Sequence, residues 1–470
     1  MRYKVKLHRV FKPGASYRRI KSRGAKPRTS PSPFKKVGDG GWVKKTQNAI
    51  THIAVVGLGY VGLPLAVLAA EAGFTVFGID KDRQKIGMLK KQTNYLADAS
   101  LTGALRQAIR KKKLTPILQF KALKQCDAIF ICLPTPVDAQ LQPDISLLKN
   151  ATEKIGIYLQ KGAVVINEST VAIGTTREII GRVLEKKSGL KMGRDFSLVC
   201  SPERVDPGTR NKTENIAKLI GGIDQQSSQK AYQIYKRFIK APLITVESPE
   251  VAEGAKMLEN SYRALNIALV NEFARLCEKI NLDVLEVIKA ASTKWSFQAH
   301  WPSLGTGGHC IPIDPYYLTG LASQYGLTMP ALSAALETNR EMPQWFTQKI
   351  ISNYHPGNKV LLYGLAYKKN IKDLRESPAL TVALALKKKN IPFQVYDPFY
   401  SKIEIKKLGF KPAPKAGLLA YDLVVVATDH DILQKDSKKL ISKNTIVIDG
   451  KNYFQKKVGK KVIGVGRSLS

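Results

Sequence analysis

The sequence predicts an α/β protein in which two doubly wound sheets are joined by one long helix. The first observation is an alternation of short apolar runs with helical segments between residues 53 and 200, and the second is a similar alternation between 360 and 449. Strands that alternate with helices are typical of parallel sheets with crossover connections. The third observation is a helical pattern from about Pro249 to Ile280, which we interpret as the connection between two lobes.

The apolar runs predict strands in two groups. The first group comprises residues 53–57, 75–80, 127–133, 163–167 and 196–200, and the second comprises 360–365, 393–397, 423–427 and 445–449. A chain of 470 residues is too long for one ordinary core, so several domains are expected. We place them at 49–245, 246–345 and 346–470, after an N-terminal extension at 1–48.

The composition indicates a protein of the cytoplasm. The chain contains five cysteines, without a paired CxxC spacing, which favours neither a disulfide framework nor a zinc site. There is no apolar run long enough to cross a bilayer and no apolar segment typical of a secretory signal. We therefore expect a cytoplasmic protein with no membrane partner and no metal.

The positive charge is concentrated at the N-terminus. Residues 1–50 carry fifteen Lys and Arg against the single acid Asp39, within a chain of formal net charge +38. The basic residues are mixed with Pro, Gly and Ser and have no helical or alternating period, which predicts disorder over 1–48. This extension is either an arm for RNA or a membrane surface, or a dispensable addition. We favour the second interpretation and expect no nucleic-acid partner, because aromatic residues are sparse and no recognition motif is present.

The motif Gly57-Leu58-Gly59-Tyr60-Val61-Gly62 follows the first apolar run and opens a helical pattern. Such glycines allow a tight turn and let a pyrophosphate approach a helix N-terminus, as in Rossmann-like domains. Asp80 ends the next predicted strand, where a carboxylate accepts hydrogen bonds from the adenosine ribose and repels the 2′-phosphate of NADP⁺. The glycine motif and Asp80 together predict NAD⁺ binding. The alternative is a glycine turn with an incidental aspartate.

Cys310 is the candidate nucleophile. It lies in Gly307-Gly308-His309-Cys310-Ile311-Pro312-Ile313-Asp314, which is too rich in Gly and Pro for a core strand. The other four cysteines fall within or beside apolar patterns, where cysteine behaves as a small buried residue. A thiolate near cations or backbone N–H groups is a useful nucleophile. We interpret the neighbouring His309 as structural, because adjacent side chains seldom face each other productively.

Two further groups of polar residues are candidates for binding. Lys256, Asn260 and Arg263 are spaced i, i+4 and i+7 on the predicted long helix, so they either face a cleft together or form a solvated polar face. Lys368 follows the strand that ends near Gly364. A strand that ends in Gly and Lys can present a cation to a diphosphate at the sheet edge, but a basic surface loop has the same pattern.

From residue 53 to 452 the sequence resembles the UDP-glucose/UDP-mannuronate dehydrogenase family, and more closely its UDP-N-acetylhexosamine 6-dehydrogenase branch. The motifs that carry the resemblance are the glycine-rich GLGYVGLPLA, Pro134-Thr135-Pro136, Glu168-Ser169-Thr170-Val171, Ser201-Pro202-Glu203-Arg204-Val205, the Lys256/Asn260/Arg263 helix, GGHCIPIDPYYL from 307 and GLAYKKNIKDLRESPAL from 364. Their number and order make a chance similarity improbable.

The resemblance implies a role for each matching position. It implies that NAD contacts Gly57, Gly59, Tyr60, Val61, Gly62, Asp80, Lys85, Thr135, Thr170 and Arg375. It implies that the nucleotide sugar contacts Glu203, Arg204, Lys256, Asn260, Arg263 and Lys368. The implied catalytic residues are Cys310, Lys256, Asn260, Asp314, Glu203 and Thr170. The resemblance also implies that 49–245 is an NAD-binding Rossmann domain, 246–345 a central helical dimerisation domain and 346–470 a UDP-sugar-binding Rossmann-like domain.

The activity that the resemblance implies is a four-electron oxidation of the C6 hydroxyl of a UDP-hexose to a carboxylate, with NAD as acceptor. A thiohemiacetal and then a thioester on Cys310 retain the aldehyde, and the product supplies polysaccharide or glycan biosynthesis. We expect UDP-N-acetylglucosamine as substrate, with UDP-N-acetylmannosamine, UDP-N-acetylgalactosamine and UDP-glucose as alternatives. The resemblance also implies a homodimer, or a higher homo-oligomer, formed through the long helix.

The sequence departs from the family pattern in two places. The branch often has Pro-Gly-Pro-Gly before Gly-Gly-His-Cys, whereas residues 301–306 here are WPSLGT, and the basic extension has no counterpart. Two rival functions stay open. One is a single-step dehydrogenase of the hydroxyacid type with Lys256 catalytic, which releases one NADH per substrate. The other is a nucleic-acid-binding protein that acts through its basic extension.

Overall fold

The computed structural model describes residues 50–96, 100–138, 140–205, 212–414 and 421–469. The predicted disordered extension at 1–48 lies outside the described residues. Within them the structure has two sheets with helices on both faces and a set of central helices, which confirms the predicted fold class.

The first sheet has eight strands in the order β3-β2-β1-β4-β5-β6-β7-β8. The strands are His52–Val56 (β1), Thr75–Ile79 (β2), Leu114–Ile117 (β3), Ala128–Ile131 (β4), Val164–Asn167 (β5), Ser197–Cys200 (β6), Lys218–Gly222 (β7) and Leu243–Val246 (β8). Neighbours are parallel except β6 and β7, which are antiparallel. The five predicted strands are present, and β3, β7 and β8 are additional. Pro116 in β3, and the Lys218 and two glycines of β7, interrupt the apolar runs by which the other strands were predicted.

Helices cover both faces of this sheet. They are Gly62–Glu71 (α1), Arg83–Lys90 (α2), Ser100–Arg110 (α3), Ser146–Tyr158 (α4), Arg182–Ser188 (α5), which continues a π-helical turn at Thr176–Gly181, and Gln225–Tyr235 (α6). Along β1, Ile53 and Val55 enter one hydrophobic cluster while Ala54 and Val56 enter another. Burial on both faces explains why these strands are continuously apolar rather than alternating.

The long helix α7 extends over Pro249–Lys279, as predicted. The Ser248 hydroxyl accepts from the N–H of Val251 at 3.4 Å, and Pro249 lies in the first turn, where its missing N–H costs nothing. Near its start, Ala252 packs with Cys200 and Leu219 of the first sheet, while its later residues Ala274 and Cys277 belong to the core of the second sheet. The helix therefore joins the two lobes.

Three more helices pack around α7. They are Val284–Ala291 (α8), Asp314–Gln324 (α9) and Pro330–Ser352 (α10). Met342, Phe346 and Ile350 of α10 enter the same core as Val360 and Leu362 of the second sheet. The boundary expected at 345/346 therefore falls inside α10, because this helix serves both the central region and the second sheet.

The second sheet has six strands in the order β10-β9-β11-β12-β13-β14. The strands are Val360–Tyr363 (β9), Gln394–Tyr396 (β10), Leu423–Val426 (β11), Ile446–Asp449 (β12), Lys461–Gly464 (β13) and Ser468–Leu469 (β14). All neighbours are parallel except the last pair. Its helices are Pro378–Lys388 (α11), Lys402–Lys407 (α12) and Leu433–Leu440 (α13). The four strands predicted here are present.

Candidate active site

The loop after β1 lies at the switch point of the first sheet, because β2 is on one side of β1 and β4 is on the other. Gly57 has φ +94°, and a Cβ there would lie 2.4 Å from the Cys132 carbonyl oxygen. A Cβ on Gly62 would lie 1.8 Å from the Gly57 carbonyl oxygen, so α1 can begin here only at glycine. By contrast, a Cβ on Gly59 would meet nothing within 4 Å. At Gly57 and Gly62 the loop packs directly against other backbone atoms, whereas the space beside Gly59 is open. A loop that binds a ligand requires such an open position.

Asp80 directly follows β2 and is tied to the same loop. Its Oδ2 accepts from the Leu58 N–H at 2.9 Å, and its Oδ1 accepts from the Asp82 N–H at 2.9 Å. The Lys85 ammonium lies 4.0 Å from Oδ2. The Tyr95 hydroxyl donates to the Leu58 carbonyl. The structure thus brings together the predicted residues of the glycine loop with Asp80 and Lys85.

Thr135 and Thr170 lie at the ends of the neighbouring strands β4 and β5. The Thr135 hydroxyl donates to the Thr170 carbonyl at 2.6 Å. The Tyr317 hydroxyl of α9 donates to the Thr135 carbonyl. Sequence reasoning assigned no role to Tyr317, although it lies in the DPYYL segment of the cysteine motif. This tyrosine joins the edge of the first sheet to the segment that carries Cys310.

Cys310 is the exposed cysteine, whereas Cys126, Cys132, Cys200 and Cys277 are buried. Its loop packs closely against the segment after β9. Gly308 has φ +85° and donates its N–H to the Arg375 carbonyl at 3.1 Å, and a Cβ there would lie 2.6 Å from the Tyr367 ring. Both the backbone angle and this close approach require glycine before His309 and Cys310.

Asp314 begins α9 and faces α7. Its N–H donates to the Cys310 carbonyl at 2.9 Å, and its carboxylate accepts from the Asn260 amide at 2.5 Å. Burial raises the pKa of Asp314 to about 7, against the opposing effects of the Lys256 charge and the Asn260 hydrogen bond. Lys256 is itself buried. The structure therefore gathers a lysine, an amide and a carboxyl that titrates near neutral pH next to the Cys310 loop.

Arg263 lies on the same side of α7 as Lys256 but is exposed. Seven residues of an α-helix advance by roughly 10 Å, so Arg263 lies about two turns further along the helix than Lys256. The opposite side of α7 carries an exposed apolar stripe. The predicted polar stripe is thus buried at Lys256 and Asn260 and exposed at Arg263. Lys368 is half-buried in the loop after β9.

The SPERV segment follows β6 and is anchored by its own charged residues. Glu203 Oε1 accepts from the N–H groups of Arg204 and Val205, both at 2.8 Å, and its Oε2 accepts from the Lys218 ammonium at 2.5 Å. Burial acts to raise the pKa of Glu203, but Lys218 and these N–H groups outweigh it and the pKa is lowered. The Arg204 guanidinium pairs with Glu259 of α7 at 2.7 Å.

Arg375 connects the second lobe to the glycine loop. Its guanidinium lies 5.8 Å from the centre of the Tyr60 ring and forms a two-pronged pair with Asp373. Its carbonyl is the acceptor for Gly308 described above. One residue of the second lobe therefore contacts both the predicted cofactor loop and the predicted nucleophile loop.

The second sheet has its own switch point between β9 and β11, and its geometry repeats that of the first. Gly364 has φ +88°, and the Leu365 N–H donates to Asp397 Oδ2 at 2.7 Å, as the Leu58 N–H does to Asp80. Here His430 Nε2 lies 3.3 Å from the same Asp397 oxygen. The Asn370 N–H donates to His430 Nδ1 at 3.0 Å, so Nε2 carries the proton toward Asp397. The loop that carries Lys368 is held by these contacts.

Comparison with known proteins identifies the family. Three domain models of the UDP-glucose/GDP-mannose dehydrogenase family match consecutive parts of the chain: the NAD binding domain at 51–239, the central domain at 250–341 and the UDP binding domain at 361–456. The chain belongs to the UDP-glucose/GDP-mannose dehydrogenase family. The resemblance described from the motifs is therefore confirmed.

Individual relatives support the same assignment. The chain is 36% identical over 386 residues to UDP-N-acetyl-D-glucosamine 6-dehydrogenase of Pseudomonas aeruginosa, covering 80% of this chain and 90% of the relative. It is 34% identical over 434 residues to UDP-N-acetyl-D-mannosamine dehydrogenase of Methanococcus vannielii, covering 89% and 96%. The solved UDP-D-ManNAc dehydrogenase of Pyrococcus horikoshii superposes with a TM-score of 0.80 at 31% identity, covering 89% and 99%. The chain is an NAD-dependent UDP-sugar dehydrogenase.

The residues of the dehydrogenase fit NAD at the first switch point. The open approach to Gly59, the N-terminus of α1 and the Asp80 carboxylate supply the features that a pyrophosphate and a ribose require. Among the described residues, no group of His, Cys, Asp or Glu side chains is arranged to hold a metal ion. Within the same ranges, no helix is both long enough and apolar enough to traverse a bilayer.

We expect Asp80→Asn to weaken the preference of the dehydrogenase for NAD⁺ over NADP⁺. Asparagine can still accept from the Leu58 N–H through its carbonyl oxygen, but it removes the charge that repels a 2′-phosphate. The ratio of kcat/KM values for the two cofactors should fall by roughly tenfold, the equivalent of one charged hydrogen bond. Lys81→Gln, an exposed neighbour, is the control. An unchanged ratio in Asp80→Asn would contradict the role of Asp80.

Sequence reasoning missed the buried partners of the site. Glu168 belongs to a motif that was recognised, but no role was assigned to its side chain. Lys218 is the first residue of the unpredicted strand β7. The residues next to it in the sequence do not distinguish it from the many surface lysines. Both side chains are completely buried and paired with each other. Only the strand order, which places β7 beside β6, brings them together.

Proposed function

We propose that the chain oxidises the C6 hydroxyl of UDP-N-acetylglucosamine to the carboxylate, through a covalent intermediate on Cys310. The observation that carries this proposal is the position of Cys310, exposed on a glycine loop between the Asp314/Asn260/Lys256 group and the contact of Arg375 with the cofactor loop. A nucleophile, a titratable carboxyl and a dinucleotide loop are thereby combined at one site. The product supplies polysaccharide or glycan biosynthesis.

The two switch points bind the two nucleotides. Gly57, Gly59, Asp80, Thr135 and the other predicted cofactor residues hold NAD⁺, which accepts a hydride in each of two oxidations. Lys368 and the loops of the second sheet hold the UDP diphosphate, as the match to a UDP binding domain supports. The sugar then extends toward Cys310.

In the first oxidation, Asp314 removes the proton of the C6 hydroxyl through a water molecule. Its pKa of about 7 matches the requirement of a general base that works near neutral pH. Asn260 fixes the carboxylate by its hydrogen bond, and the Lys256 ammonium stabilises negative charge on the oxygen of the reacting carbon. The aldehyde forms beside Cys310.

In the second oxidation, the Cys310 sulfur adds to the aldehyde carbon and forms a thiohemiacetal. Loss of hydride from that carbon gives a thioester. A water molecule then adds to the thioester carbonyl, its proton passes to Glu203, and the C–S bond breaks to return the Cys310 thiolate and the carboxylate. The balance is one UDP-sugar, two NAD⁺ and one water for one UDP-uronate, two NADH and three protons.

The choice of sugar rests on similarity. The relative with 36% identity is named a UDP-N-acetyl-D-glucosamine 6-dehydrogenase, and the segment 311–317 resembles the N-acetylglucosamine or N-acetylgalactosamine type more than the mannosamine type. The Methanococcus vannielii relative and the Pyrococcus horikoshii structure are named for UDP-N-acetylmannosamine instead. UDP-N-acetylmannosamine is therefore the second candidate.

We expect two NADH per UDP-sugar and the highest kcat/KM for UDP-N-acetylglucosamine. Its C2 and C4 epimers and UDP-glucose should be slower by roughly tenfold or more, because each loses about one hydrogen bond or contact. The measurement is NADH formation with each UDP-sugar, followed by a count of NADH at complete conversion. One NADH per sugar would favour the single-step mechanism. A higher kcat/KM for UDP-N-acetylmannosamine would replace the proposed sugar.

We also propose that α7 forms the contact between two copies of the chain. Seven apolar residues lie exposed at heptad-like spacing along its side opposite Lys256: Val251, Leu258, Tyr262, Leu265, Leu269, Leu276 and Ile280. An apolar stripe of this length on a water-exposed helix is typical of a protein interface. A second copy in the antiparallel orientation presents the same stripe, as two-fold symmetry requires.

The double variant Leu258→Glu/Leu269→Glu should be a monomer where the wild type is a dimer. Both leucines are exposed, at 66% and 58%, so the substitutions should leave the protomer folded while placing four carboxylates in the interface. Light scattering after gel filtration measures the mass. Ile157→Glu, an exposed apolar residue of α4, is the matched control and should stay dimeric. A wild-type monomer, or a double variant of unchanged mass, would contradict the interface.

A further inference from the structure

A buried ion cluster lies beneath the carboxyl edge of the first sheet. Lys218 opens β7, Glu168 follows β5, Glu203 follows β6, and Tyr235 ends α6. The Lys218 ammonium donates to Glu168 and, at 2.5 Å, to Glu203, while the Tyr235 hydroxyl donates to the second oxygen of Glu168. The Lys218 and Glu168 side chains have no exposed surface. Taking such charges out of water is costly, and the hydrogen bonds among these side chains offset only part of that cost.

The cluster contains one cation for two carboxyl groups. Burial raises the pKa of Glu168 to about 7, whereas that of Glu203 is lowered because Lys218 and two backbone N–H groups outweigh its burial. The other titratable groups that face the cluster are Tyr235, Cys132 and Cys200, and burial raises the pKa of each well above its usual value. At neutral pH all three therefore stay neutral. Glu168 is therefore only partly ionised at neutral pH, although Lys218 and Tyr235 both donate to it, whereas Glu203 is fully ionised.

The cluster is connected to the reacting part of the site through the backbone. The Glu203 N–H donates to the Glu168 carbonyl at 3.1 Å. Thr170, two residues after Glu168, is the acceptor for the Thr135 hydroxyl. Three of the four acceptor positions on the Glu203 carboxylate are used by hydrogen bonds within the described residues, which leaves one on Oε2 for a water molecule.

We propose that Lys218 is a positioning residue for the last step of the reaction: its buried ammonium fixes the Glu203 carboxylate and keeps it ionised. The inference rests on the proposed function, in which Glu203 receives the proton of the water that hydrolyses the Cys310 thioester. Lys218 does not contact the substrate. It acts by holding the base in its reactive form, and Glu168 shares the same cation.

The test separates hydrolysis from the two oxidations. In Lys218→Met, the buried Glu203 is left beside Glu168 without a cation, so the pKa of Glu203 rises and a larger fraction of it is protonated at pH 7. Steady-state turnover at pH 7 should then fall about 100-fold, the usual contribution of a general base, after a rapid burst of two NADH per site. Intact-protein mass spectrometry should find the acyl adduct on Cys310. Turnover should recover at least tenfold between pH 7 and pH 9, because Glu203 ionises again.

A double variant and two control variants test whether Lys218 acts through the charge of Glu203. Lys218→Met/Glu168→Gln removes the neighbouring carboxylate as well, which relieves the repulsion on Glu203 and should restore turnover at pH 7 by roughly tenfold over Lys218→Met. Lys240→Met, an exposed lysine before β8, should behave as the wild type. Glu168→Gln alone should retain turnover, because Lys218 still pairs with Glu203.

Several outcomes would overturn the role of Lys218. A loss that is equal at pH 7 and pH 9, or a slow Lys218→Met that accumulates no acyl adduct, would assign Lys218 to the core only. Failure of both Lys218 variants to fold would likewise assign Lys218 to the core only. These results differ from failure of the proposed function itself, in which the wild type forms no NADH with any UDP-sugar and no covalent species on Cys310.

Discussion

Cys310→Ser should stop the dehydrogenase after the first oxidation. The hydroxyl of serine has a pKa far above that of a thiol, so it supplies little nucleophile at neutral pH, although its shape is similar. Steady-state NADH formation should fall by roughly 1,000-fold or more, as expected when a covalent nucleophile is removed. Binding of UDP-sugar and NAD⁺ should be unchanged. A burst of one NADH per site at most, followed by slow turnover through the hydrated aldehyde, is the expected time course.

Two comparisons sharpen this experiment. Cys310→Ala should be at least as defective as Cys310→Ser, whereas Cys277→Ala should retain turnover and lose only about 1 kcal/mol of unfolding free energy, since Cys277 is a small buried residue. Alkylation should inactivate the wild type, and bound UDP-sugar should protect it. Cys310→Ala that still produces two NADH per UDP-sugar at the wild-type rate would exclude the covalent mechanism.

Asp314→Asn should remove the base of the first oxidation and, with it, the acid limb of the pH profile. Burial raises the pKa of Asp314 to about 7, and the base works only when ionised, so wild-type kcat should fall as the pH is lowered through 7. Asparagine cannot accept the proton, and kcat should drop by about 100-fold or more at pH 8. The variant should lose the inflection near pH 7. The measurement is kcat from pH 5.5 to pH 9.

Glu71→Gln provides the matched control, because it removes an exposed carboxylate at the far end of α1. Its kcat and pH profile should equal those of the wild type. If Asp314→Asn keeps the inflection near pH 7, another group titrates there and Asp314 is not the base. A loss confined to KM would instead assign Asp314 to sugar binding.

Much of the candidate cofactor site was predictable because its residues are close together in the sequence. The glycine loop requires residues that follow each other along the chain, and Asp80 follows in the next strand, so their spacing carries the information. The exposed position of Cys310 was also predictable, because a segment rich in Gly and Pro does not form a buried strand. The same reasoning placed the other cysteines in the core, where the structure has them.

The apolar residues of α7 were harder to interpret. The helix itself was predicted, but the sequence left open whether its polar stripe faces a cleft or solvent. The described chain leaves Val251, Leu258 and Leu265 exposed and buries Lys256 and Asn260. A helical period shows that two faces differ but not which one meets the core, because that depends on what packs against the helix.

The sequence by itself determined the fold class, the dinucleotide loop with Asp80 and the family, because each rests on residue types at short or regular spacing. Only the tertiary structure decided the partners of the candidate catalytic residues. Asn260 reaches Asp314 across 54 positions, and Lys218 reaches Glu168 across 50. The pKa of Asp314 and the charge of Glu203 follow from those contacts and from burial. Both depend on the order of strands and the packing of helices, which no local pattern of residues specifies.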